Sequence, residues 1–122
     1  MGNYNRNLEV IENLRTFMGG DINDVPLYDR AFDDMIYIVE QCKYFNIPQP
    51  EIYPWSGGNG IQEEWEYDWY LEINSSSNGI SVIIIKDHEY EDAISIFTYV
   101  IEDAFNIIKC FLNQVVDLDG KR

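Results

Sequence analysis

Between Pro48 and Ile85 the hydrophobic pattern of the chain changes period, and that change restricts the fold more than any other feature. On either side, apolar residues recur every three or four positions. Inside, they alternate with polar ones, and Gly, Pro and Asn mark the reversals. A helix-period pattern cannot settle as a strand, nor a period-two pattern as a helix. The chain is therefore read as helices flanking an antiparallel sheet.

Leu8, Ile11, Leu14, Phe17 and Met18 predict a helix over 4–18, stopped by Gly19-Gly20. The segment 21–24 reads as a loop, and Pro26 suits the first turn of a second helix. That helix is expected over about 27–46 with Ala31, Phe32, Met35, Ile38, Val39, Cys42 and Phe45 on its apolar face. Pro48 and Pro50 end it and force an extended stretch through Ile52 and Tyr53.

A turn at 55–60 leads to a strand over Ile61–Glu66. Ile61, Glu63 and Trp65 share one face, and Gln62, Glu64 and Glu66 the other. After a reversal at Tyr67-Asp68, Trp69, Leu71 and Ile73 oppose Tyr70 and Glu72. A polar loop is expected over 74–78, where Asn78-Gly79 is a hairpin signal. Ile80–Ile85, apolar on both faces towards its end, reads as the central strand. Asp87–Asp92 opens a last helix over about 91–116. Its stripe is Ala93, Phe97, Val100, Ile101, Ala104, Ile108, Phe111, Leu112 and Val115. The expectation is one domain over residues 1–122 of the α+β class. Two layers are predicted, an antiparallel meander of three to four strands packed against a long C-terminal helix and two N-terminal helices.

Charge excludes some functions. The 122 residues hold 22 Asp+Glu against 8 Lys+Arg, a net charge of −14, yet 46% are hydrophobic, which is enough for a core. Counterion release at phosphates needs basic patches, so direct nucleic-acid binding is not expected. Anionic membrane surfaces are disfavoured for the same reason. The longest aliphatic run, Val82–Ile85, is four residues, far short of the roughly 20 a spanning helix needs. The N-terminus lacks signal-peptide character, and Arg6 breaks a myristoylation motif. Cys42 and Cys110 fall in apolar helical patterns and read as reduced core residues, so a cytoplasmic location is expected in a bacterium or an infected cell.

No catalytic motif stands out, and the reading is non-enzymatic. His88, between Asp87 and Glu89, lacks a second His or a placed Cys for zinc and reads as a solvated loop residue. Gly57-Gly58-Asn59-Gly60 precedes a strand, whereas a phosphate loop opens a helix. Asp117-Leu118-Asp119-Gly120 ends before a calcium loop could be completed. No cofactor or metal is predicted.

The acids are concentrated. Between Tyr44 and Ile108 lie twelve, against the single base Lys86. Such crowding on a sheet face costs stability, which suggests use by a basic protein partner. The competing reading is a solvated face whose charge blocks aggregation. The residues expected to bind that partner are Trp55, Glu64, Glu66, Asp68, Tyr70, Glu72, Asp87, Glu89 and Glu91. Carboxylates would stand in for phosphates and aromatic rings for bases. Trp65 and Trp69 read as core, and Trp55, in its Gly-rich turn, as an exposed anchor.

Pro50-Glu51-Ile52-Tyr53-Pro54, Gly57-Gly58-Asn59-Gly60-Ile61-Gln62-Glu63-Glu64-Trp65, Leu71-Glu72-Ile73 and Asn78-Gly79-Ile80 together form a pattern of Pro-x-Ile-x-Pro, a Gly-Gly turn and Gly-Ile-x-x-Glu-Trp. It resembles a group of small bacterial and mobile-element proteins, some antitoxin-like or immunity-like, over about 31 of the 122 residues. The acidic composition is similar to that of phage anti-defence proteins, including anti-CRISPR proteins. These resemblances imply an inhibitor that occupies the surface of a nuclease, toxin or CRISPR effector. Two other readings stand beside it. One is a small enzyme or ligand-binding domain with a pocket between sheet and helices near His88. The other is a homo-oligomer such as a dimer, joined through the stripe of the last helix.

Overall fold

A computed structural model describes residues 3–18, 25–54, 60–66, 69–76, 79–85 and 93–119. The elements are α1 (Tyr4–Met18), α2 (Val25–Tyr44), β1 (Glu51–Pro54), β2 (Gly60–Glu66), β3 (Tyr70–Ser76), β4 (Gly79–Ile85), β5 (Ile94–Thr98) and α3 (Ile101–Asp119). The strands form one antiparallel sheet in the order β1-β2-β3-β4-β5. The α+β class and the packing of sheet on helices are as the sequence predicts. The expected reversals at 21–24, 55–59, 67–68 and 77–78, the acidic segment 87–92 and the end of the tail lie outside the described residues.

Local chemistry sets the helix ends. Asn3 caps α1, its side-chain oxygen accepting from the Arg6 amide at 2.8 Å. Asn46 adopts the left-handed conformation, φ 57°, and the Ile47 amide reaches back to the Cys42 carbonyl at 2.8 Å. This closing motif terminates α2 before the prolines can. Beyond it Phe45, expected on the apolar face, is exposed.

All three helices lie on one face of the sheet, α1 beside β1, α2 across β2 and β3, and α3 against β4 and β5. The core gathers Ile11, Phe32, Met35, Ile38 and Cys42 from the first two helices. The sheet adds Ile61, Trp65, Leu71, Ile73 and Val82, and α3 adds Ile108 and Leu112. Trp65 donates its indole N–H to the Pro48 carbonyl at 2.7 Å. Asn7, itself buried, donates to the Pro50 carbonyl and the Gln49 side chain, each at 3.0 Å, tying α1 to the segment before β1. Trp65 and Trp69 are buried, as expected of core residues, and Trp69 meets Phe111 edge-on.

The structure corrects five expectations. First, the sheet has five strands among the described residues, because Ile94–Thr98 adds a strand on β4; the extended stretch Glu51–Pro54 pairs with β2 as the short first strand. Residues 94–98 extend because Ile94, Ile96 and Thr98 are β-branched and share one strand face. Second, the apolar stripe therefore starts at Ile101. Ala93, Phe97 and Val100 precede α3 and are exposed. Third, β3 is the central strand, with β4 beside it. Fourth, Asn74, Ser75 and Ser76, expected in a loop, belong to β3. Ser75 points inward and donates to Asp34 Oδ2 of α2 at 3.0 Å, a bond that suits a strand buried beneath a helix. Fifth, Cys110 is exposed on α3, whereas Cys42 is buried; both are free thiols.

Candidate functional site

Strand alternation sorts the sheet into two surfaces. On the outer one, cross-strand partners form rows. One row runs Glu51, Glu64, Glu72, Ile83, Ser95, and its neighbour runs Tyr53, Gln62, Asn74, Ser81, Phe97. A third holds Glu66, Tyr70 and Ile85. Three carboxylates thus stand abreast on β1, β2 and β3, and Ile83 and Phe97 continue the same surface as an apolar half.

Hydrogen bonds hold the acidic half in place. The Tyr70 hydroxyl lies 2.8 Å from Glu64 Oε2 and 2.6 Å from Glu72 Oε1. Gln62 donates to Glu64 at 2.8 Å, and Asn74 donates to Glu72 at 2.5 Å. Tyr70 has one proton to offer, so it serves two carboxylates in alternation. Burial, the hydrogen bonds to Glu72 and Glu64, and their negative charge push its hydroxyl well above the ordinary tyrosine range. Tyr53 is 44% exposed on the same face. Its hydroxyl is also raised, by desolvation first and then by Glu64, Glu51 and Glu66. Both tyrosines register a negative field over this surface.

None of the five strands contains Lys or Arg. The described bases Arg6, Arg15, Arg30, Lys43 and Lys109 all lie on helices. Four of them meet partners away from the sheet's outer face. Arg15 pairs with Asp33 at 3.1 Å, and Lys43 and Lys109 stand over the rings of Tyr4 and Phe45. Arg30 donates to the Tyr99 carbonyl.

Of the residues expected to bind a partner, Glu64, Glu66, Tyr70 and Glu72 are brought together on this face. Trp55, Asp68, Asp87, Glu89 and Glu91 lie outside the described residues, as does His88. Glu51 and Tyr53 were missed, although the alternation through Ile52 was a sufficient signal for both. Among the described residues, no three His, Cys, Asp or Glu side chains converge to hold a metal ion, and no helix is long and apolar enough to cross a membrane.

The inner face holds a different acid. Glu63 is fully buried between Ile52 and Ile73, and neither carboxyl oxygen has a hydrogen-bond partner. Burial raises its pKa far above the usual carboxylate range. The Cys42 thiol is raised too, by burial first and then by Glu63. Asp34 is raised by burial, against the opposing effect of Ser75.

No protein-family model, curated protein or solved structure matches the chain.

Proposed function

We propose that this protein is a non-enzymatic binding protein that inhibits a basic, nucleic-acid-handling partner by occupying its surface, as an antitoxin, immunity or anti-defence protein does. One observation carries the reading. Glu51, Glu64 and Glu72 stand abreast on the outer sheet face, whose described strands contain no Lys or Arg, with Glu66 and two tyrosines beside them. Like charges set directly opposite one another on a sheet are destabilising, and a partner's Lys and Arg would relieve that cost. The carboxylates offer anionic oxygens in a line, as a nucleic-acid backbone does, and Tyr53 offers an exposed ring. The location proposed for this activity is the cytoplasm of a bacterium or of a phage-infected cell.

Capture from a bacterial lysate on the immobilised chain, followed by salt elution, tests the reading. The retained protein should be basic, should be displaced by nucleic acid, and should elute as salt rises. The Glu64→Lys/Glu66→Lys/Glu72→Lys variant should lose it. Glu64→Gln/Glu72→Gln, which keeps acceptors for Tyr70, should weaken it without unfolding. Capture that survives both variants would overturn the proposal.

A further inference from the structure

The two edges of the sheet are unlike. β1 is four residues long, carries Glu51 and ends on Pro54, which has no amide hydrogen to offer. Charge and proline are the usual means by which an edge strand refuses further pairing. β5, Ile-Ser-Ile-Phe-Thr, has neither. Among the described residues no strand pairs with its free side, since β5 ends the strand order.

Its surroundings are apolar. Ile94, Phe97, Tyr99 and Val100 are all exposed, by 45%, 54%, 65% and 46%. Phe97 and Tyr99 pack edge-to-face at 5.0 Å. From Ala93 to Ile101 there is no charged residue, in a chain of net charge −14. A basic partner gains nothing from this neutral segment. A second acidic copy meets no like charge on β5 itself, and among the described segments this one offers both unpaired backbone and exposed apolar side chains.

We infer that the free edge of β5 pairs antiparallel with β5 of a second copy of this chain. An antiparallel pair of identical strands is self-complementary, so one two-fold axis satisfies both edges at once. The exposed rings of Phe97 and Tyr99, packed edge-to-face, lie beside the junction. The acidic half of the outer face, on β1 to β3, stays clear of it.

Salt separates this contact from binding of a basic partner, because the two respond with opposite sign. Association of two bodies of charge −14 through a neutral edge strengthens as salt screens their repulsion. Sedimentation of the full chain across roughly 1 μM to 1 mM, at low and high salt, should show the mass rising from 14.3 kDa towards twice that value. The rise should begin at lower protein concentration in high salt. Ser95→Glu changes an exposed residue of β5 and places two new charges near the axis. It should weaken association at least about tenfold, or about 1.4 kcal/mol, with thermal stability unchanged. Amide exchange over 94–98 in the unaltered chain should slow as concentration rises. A monomer at every concentration and salt level overturns the inference, and so does a dimer indifferent to Ser95→Glu whose 94–98 amides exchange independently of concentration.

Discussion

Glu64 and Glu72 face each other directly across β2 and β3, and the hydroxyl of Tyr70 is within hydrogen-bond distance of both. Tyr70→Phe removes the one donor between two like charges. The expected loss is about 1–2 kcal/mol, larger at low salt than at high. Adding Glu72→Gln should restore most of it. Urea denaturation of the three chains at two salt concentrations checks this.

Glu63 predicts a pH dependence of definite sign. Its folded pKa is raised above the ordinary value of 4.5. Below that value both folded and unfolded chains hold the proton, and the stability is complete. Above it the unfolded chain releases the proton and the folded chain keeps it, so stability falls by up to about 1.4 kcal/mol per pH unit. The fall ends once the folded pKa is passed. Glu63→Gln has no proton to lose. Its stability relative to the natural chain should therefore grow from about pH 5 to pH 7 in chemical denaturation. Parallel curves would refute the assignment.

The two thiols should separate cleanly under an aromatic disulfide reagent. Cys110 is exposed and should react in the native protein. Cys42 is buried, with its thiol pushed further from ionisation by burial and by Glu63. It should react only on unfolding, and its rate should follow the unfolding rate measured by tryptophan fluorescence.

Two glycines should resist even alanine. A Cβ at Gly60 would meet the Ser75 backbone carbonyl across the β2–β3 ladder, which cannot swing aside. At Gly79, φ is +127°, and a Cβ would meet the Phe97 ring. Each substitution should cost about 1–3 kcal/mol, with Gly60→Ala the worse, as read from thermal midpoints.

The β2–β3 hairpin was legible because one rule governs it. Period-two alternation placed Ile61, Glu63, Trp65, Leu71 and Ile73 inside and Glu64, Tyr70 and Glu72 outside. β5 was not legible, since Ala93, Phe97, Ile101, Ala104 and Ile108 also fit a helical spacing. Only the β-branched Ile94, Ile96 and Thr98 pointed the other way. Burial of Glu63 followed from its parity, but its lack of a partner depends on which helix residues face it, and no local pattern encodes that. The Asp34–Ser75 bond spans 41 positions and has no sequence signature at all.

The strand order has a kinetic corollary. Since the strands follow one another across the sheet as they do along the chain, every strand pairing joins sequence neighbours and closes a short loop. Loop-closure entropy rises with separation, and folding slows with it. The sheet can therefore zip outward from one hairpin. Distant closure is left to helix docking, through Asn7 to Pro50, 43 positions apart, and Asp34 to Ser75. These are the contacts expected to form last, and their loss should chiefly speed unfolding and leave the folding rate little changed.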